Sequence, residues 1–386
     1  MTVNREKVDL LLSAAISNPR TEWPHEWRDS DSSIENLTIE RALYHGIAGV
    51  LIAPQLQLEN WPQRILDALL AQSRAQAMWE LRHRSIVAHL ILELTAQKVT
   101  PILLKGTALA YDVYDEPYWR QRGDTDILVR DEDLAQTRET LRNCGFKMAA
   151  SMTATHDPSS LQEPWEKDLG NGHVHEIDLH WRVMKGWALG DLFTFEEALR
   201  QNHHLPRLCK GAMSFGPVLA LLHACVHRAQ HISSPYYVDG VKYFGGDRLI
   251  WLNDIHLLAA SLSSDQWDEL CDQGEGKSVA EICYVALKTA ERLLGTPIPP
   301  QVMSRMEASA QIESKPGKYL LRSEPTRQVW YDFVAVPGGR KKIAFIKWRL
   351  FPPETFMRAK YPDMAERSLP FLYGRRMLHF FRRREQ

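Results

Sequence analysis

Residues 120–129 read RQRGDTDILV, with Asp124 and Asp126 one residue apart. The closing run Ile127-Leu128-Val129 is apolar and β-favouring, so the segment predicts a strand entering a core. Alternate side chains on a strand share a face, which sets the two aspartates side by side. Like charges that close repel, and neither ionises comfortably alone. A divalent cation bridging them resolves the conflict.

A second acidic strand is predicted downstream in HVHEIDLHWRV, where Ile177 and Leu179 point away from Asp178. A carboxylate flanked by apolar residues on a strand is costly without an ionic partner. If the two strands are neighbours, Asp124, Asp126 and Asp178 meet at one point. Carboxylates around Mg²⁺, completed by substrate phosphates, form such a set. Upstream, KVTPILLKGTALA predicts a buried strand at Ile102-Leu103-Leu104 that turns at Lys105-Gly106-Thr107 into a helix. A glycine there lets backbone approach a ligand, the helix N-terminus offers N–H groups to a phosphate, and Lys105 adds a point charge. A turn glycine beside a solvated lysine is the plainer reading of the same residues. On the ligand reading, Gly106→Val weakens phosphate binding and leaves the melting temperature nearly unchanged.

Around this core the pattern is helical. VDLLLSAAI, IERALYHGIAGVLI and the stretch from Trp61 to Gln97 carry apolar residues at spacings of three and four. Helices return from 192 to about 295, and beyond Pro297 the chain reads as irregular. The polar stretch 151–172 reads as a connection. The expected organisation is α+β: a helical region at 1–97, a small mixed β-sheet αβ core at 98–185, a helical region at 186–310, and a basic, aromatic extension at 311–386.

A formal net charge of −1 gives no global field toward nucleic acid or membrane. Five scattered cysteines without a CxxC pair argue for reduced thiols rather than a disulfide framework or zinc ribbon. The start lacks a basic leader and long apolar run, and no apolar run approaches the roughly 20 residues of a spanning helix. The expectation is a cytoplasmic protein without a transmembrane segment.

ILLKGTALAYDVY, RQRGDTDILV and EIDLHWRV together resemble the uncharacterised nucleotidyltransferases of the DNA polymerase β superfamily. The likeness continues through LLHACVHRAQH, RLIWLNDIHLL, LFPPETFMRAKYP and LPFLYGRR, over most of the chain. It implies a mixed sheet flanked by helices, with Asp124, Asp126 and Asp178 as catalytic carboxylates holding Mg²⁺, or Mn²⁺, while an NTP such as ATP donates its NMP. Where better-known members open the helix with Gly-Ser, this chain has Lys105-Gly106-Thr107, with Thr107 in the serine position. Gly106 stands 18 residues before Asp124, a longer gap than in minimal members. Arg120 and Arg122 are candidates for phosphate oxygens, with a surface salt bridge as the alternative for each. Asp178 is the natural group to orient the acceptor or take its proton.

Other residues leave alternatives open. His173 and His175 share a strand face, His180 lies on the other and His156 is nearby. That split makes a poor zinc cage, and there is no HExxH; His180 is expected to flank and orient Asp178. His227 and His231, four apart on one helix face below His223, are candidates for the substrate cleft. Asp254 needs a partner, with Arg248 or these histidines as candidates. Residues 340–386 hold thirteen Lys/Arg against four Asp/Glu, a net +9, with aromatics interleaved. Such a tail suits nucleic acid, an anionic membrane surface, or packing on the protein's own acidic body. The acceptor, whether small molecule, sugar, protein or nucleic acid, is not specified. A non-catalytic nucleotide-binding or scaffolding module and an RNA-acting transferase are the competing readings.

Overall fold

The computed structural model describes residues 4–28, 32–149, 160–184, 186–233, 236–238, 241–243, 246–313, 318–321 and 325–382. The fold is α+β, a mixed sheet with flanking helices. Among the described residues the sheet has seven strands: β1 (Ile102–Leu104), β2 (Asp124–Leu128), β3 (Lys147–Met148), β4 (Gln162–Asp168), β5 (Val174–His180), β6 (Asn202–His204) and β7 (Met213–Phe215). Their spatial order is β3-β4-β5-β2-β1-β7-β6. β5 runs parallel to β2 in a register that pairs Asp124 with Glu176 and Asp126 with Asp178. β1 is antiparallel to β2 and pairs Leu104 with Asp126.

The pleat divides these strands between two cores. Leu103, Ile127, Ile177 and Leu179 face back, packing with Val87, Leu90, Ile91 and Leu94 of the 34-residue helix Gln63–Ala96. Those helix positions recur at three and four, which makes the stripe the sheet covers. Ile102, Leu104 and Leu128 face front, into a larger cluster. It joins Val8 and Leu12 of helix Arg5–Ser17 to helices Pro217–Ser233, Leu249–Ser261 and Ala280–Leu294. Both sequence ends of the family of helices thus share one core across the front of the sheet.

Three expectations are corrected. The polar stretch 151–172 includes β4, paired along its whole length with β5. Its alternation is masked because the inward position 163 is a glutamate. Glu163 is buried because Arg138 grips it through two bonds of 2.8 and 3.0 Å and Trp165 Nε1 donates to it at 3.0 Å. β6 and β7 lie within the span from 192 to about 295, where the sequence predicts helices and no strand. Beyond Pro297 the chain is helical, with Pro300–Ile312, Pro325–Ala335, Gly339–Leu350, Glu354–Lys360 and Leu369–Arg382. Pro300, Pro325 and Pro370 sit in the first turn of their helices, where the missing N–H has no helical partner to lose. Among the described residues, no helix is long and apolar enough to cross a membrane.

Candidate active site

Asp124, Asp126, Asp178 and His180 share the front face of β2 and β5, as the period of two requires. Asp126 and His180 are buried, Asp178 is half-buried and Asp124 is exposed. Ligand atoms of Asp126, Asp178 and His180 lie within 4.8 Å of one another. Gln162, opposite His180 on β4, donates from Nε2 to Asp178 Oδ2 at 2.8 Å.

Lys105 follows β1 directly and opens helix Lys105–Asp112 with a left-handed backbone, φ 51°. That conformation is uncommon for a residue with a Cβ. Its Nζ donates to Asp126 Oδ1 at 2.5 Å, and His180 Nε2 lies 2.9 Å from the same oxygen. Burial by itself would raise the Asp126 pKa. Lys105 and His180 outweigh it and hold the carboxyl well below the usual range. Asp124 goes the other way: although part of its surface is open, the protein packed around it strips away water, and this together with the charges of Asp126 and Asp178 pushes its pKa up to about 7. His180 therefore serves Asp126 and not Asp178, a correction to its expected role.

These donors fit a divalent cation. Carboxylate oxygens suit Mg²⁺ and Mn²⁺, and the imidazole adds a ligand that favours the transition ion. The crowding that lifts Asp124 is what a bound cation relieves.

The remaining candidates separate into cleft and scaffold. A Cβ on Gly106 would lie 3.3 Å from Arg122 Cβ and 3.4 Å from its Cδ, so the glycine admits the arginine stem. Thr107 is buried; its Oγ1 accepts from Arg122 Nε at 3.2 Å and lies 3.3 Å from Thr125 Oγ1. Arg122 also pairs with Glu80 at 2.7 Å. Arg120 binds Asp254 through Nε and Nη2, both at 2.8 Å, and Tyr114 donates to the same carboxylate at 2.7 Å. Asp254 thus pairs with Arg120, rather than with Arg248 or a histidine. Both guanidiniums are thus committed to carboxylates, Arg120 to Asp254 and Arg122 to Glu80.

Next to Lys105 a cleft opens between the sheet and helices Pro217–Ser233 and Leu249–Ser261, lined by Phe215, His223, His227 and Trp251. Burial, and next to it the Lys105 charge, push the His223 pKa down to about 3. His227 is lowered too, by burial and then His231. His231 stacks on Trp251, ring centroids 5.3 Å apart, and meets His227 edge-on at 4.3 Å. His175 is on the back face beside His83, at 5.2 Å, and His156 lies outside the described residues. Gln162, Phe215 and Trp251 escaped the sequence reading because only the sheet order and the packing of helix Leu249–Ser261 bring them here.

No curated protein matches the chain. The model of a family described as uncharacterised nucleotidyltransferase matches residues 35–295, a span that holds all seven strands and the cleft helices, and the chain belongs to that family.

Proposed function

We propose that the protein transfers an NMP group from an NTP to a hydroxyl acceptor at the Asp124–Asp126–Asp178 cluster. The observation that carries this reading is the pairing of Asp126 with Asp178 across parallel strands, with Asp124 and Lys105 beside them. Asp124, Asp126 and Asp178 would hold Mg²⁺ or Mn²⁺, with His180 adjoining. When bound, the cation supplies charge neutralisation for the triphosphate and the leaving pyrophosphate.

The chain's own residues supply the rest. Asp178, steadied by Gln162, orients the acceptor hydroxyl and receives its proton. Lys105 is the cation nearest the carboxylates and also lines the cleft, so it neutralises Asp126 in the resting protein and is placed to meet a phosphate oxygen. Phe215, Trp251 and His227 give the narrow cleft aromatic walls, which would have to part to admit a base or a planar acceptor.

A thermal-shift screen of the four NTPs, each with and without Mg²⁺, tests the reading. A ligand at 100 times its Kd stabilises by about 2.7 kcal/mol. At least one NTP is expected to raise the melting temperature, and more so with Mg²⁺. No shift with any NTP, or a shift supported by Zn²⁺ and not by Mg²⁺ or Mn²⁺, contradicts it.

A further inference from the structure

The sequence from Phe333 to Pro353 contains five basic residues, Arg340, Lys341, Lys342, Lys347 and Arg349, and no acidic one. Most of it forms helix Gly339–Leu350. On this helix Ile343, Ile346 and Leu350 stand three, four and seven apart, which places them on one stripe. All three are exposed, from 42% at Ile346 to 68% at Ile343. At 100° per residue, Arg340 and Lys347 flank the stripe on one side, and Lys342 and Arg349 on the other. Phe345 lies on the opposite face and is buried. The exposed aliphatics are therefore an outward face and not the packed one.

The neighbouring helix Pro325–Ala335 holds this face in place. Asp332 is buried and accepts from Ala188 N at 2.9 Å, tying that helix to the body. Lys342 Nζ donates to the Val334 carbonyl at 3.2 Å, tying the two helices together. Trp330 and Val334 on the first helix, and Phe351 after the second, are exposed as well.

We propose that helix Gly339–Leu350 lies on an anionic lipid surface, with Ile343, Ile346 and Leu350 in the acyl boundary and the exposed Arg340 and Lys347 among the headgroups, while Lys342 and Arg349 turn back onto Phe333 and Phe345. An aliphatic stripe between basic flanks is the amphipathic pattern of an interfacial helix, and no spanning segment is required. The charge selects anionic lipid. Nucleic acid explains the basic residues and leaves the stripe without a role, since bases stack on aromatic and guanidinium planes. A second copy covering the same face would bring two all-basic surfaces together. This inference is independent of the proposed transferase reaction.

Co-sedimentation of the full chain with vesicles tests it, using phosphatidylcholine alone and phosphatidylcholine with about 30% phosphatidylglycerol. Binding is expected on the anionic vesicles only, weakening as salt rises. The double variant Ile343→Asp, Ile346→Asp should lose it by about tenfold or more while its melting temperature is unchanged, because both positions are exposed. The proposal is overturned by no sedimentation with anionic vesicles, by equal sedimentation of the double variant, or by an oligomer on gel filtration that the double variant splits. An RNA titration is run alongside; RNA binding abolished by the double variant would assign the stripe to nucleic acid instead and equally overturn it.

Discussion

Asp126 receives an ammonium and an imidazole on one carboxylate oxygen, so its charge is balanced before any ligand arrives. Removing one member of a buried ion pair typically costs 3–5 kcal/mol, because the other charge is stranded. Lys105→Met should therefore lower the melting temperature without divalent ions, and added Mn²⁺ should recover more stability in the variant than in the wild type. Equal recovery would show that Lys105 and the cation do not share Asp126. Asp178 makes a cleaner test of the chemistry, since Gln162 is its neutral partner. Asp178→Asn keeps shape and loses charge, and is expected to reduce transfer at least a hundredfold, in the range of a lost general base. Glu176→Gln, at an exposed position paired with Asp124, should cost less than about tenfold. Rates that reverse this order would assign the acid to Glu176. The three aspartates were legible in the sequence because a period of two needs only neighbouring residues. The partners of Asp126 were not: Lys105 reaches it through a left-handed turn, and His180 through the register of β2 against β5.

At the scale of elements, the turn from β1 into helix Lys105–Asp112 serves packing as well as any ligand. A valine at 106 must press against the Arg122 stem, and Arg122 is held by Glu80 and Thr107. Overpacking of this kind costs about 1–3 kcal/mol. Gly106→Val should then show a lower unfolding midpoint in urea, in place of the unchanged stability that the sequence suggested. An unaltered midpoint would mean that the arginine stem yields freely. The long helices and the strands β1, β2 and β5 were legible because their apolar spacing is uninterrupted. β4 was hidden by Glu163, whose burial depends on Arg138 in a helix distant along the chain. The C-terminal helices were hidden by prolines that begin helices and so resemble breaks.

For the molecule as a whole, buried neutral histidines set the response to acid. Burial, and then Lys167, push the His175 pKa down to about 4; His223 sits near 3, below the ordinary 6.5. Between those values and pH 6.5 the unfolded chain binds protons that the folded chain does not. Stability therefore rises with pH in this window; it is fully present above about 6.5 and lost as pH falls. Each histidine contributes a slope of up to about 1.4 kcal/mol per pH unit. Urea midpoints at pH 7 and pH 5 should differ clearly, and His175→Phe should flatten the difference. Asp124, raised from 3.8 to about 7, gives a slope of opposite sign and offsets one histidine but not both; a midpoint independent of pH would contradict the account. Such coupling was not legible in sequence, because it follows from which face of the sheet each histidine takes and what covers it.

The central claim is that the aspartates of β2 and β5 form one cation site. A Mn²⁺ titration followed by electron paramagnetic resonance measures this directly, by loss of the free-ion signal in the wild type and in Asp178→Asn. The account predicts binding in the wild type, strengthened by NTP and weakened at least about tenfold in Asp178→Asn. Equal Mn²⁺ uptake by both proteins would contradict it.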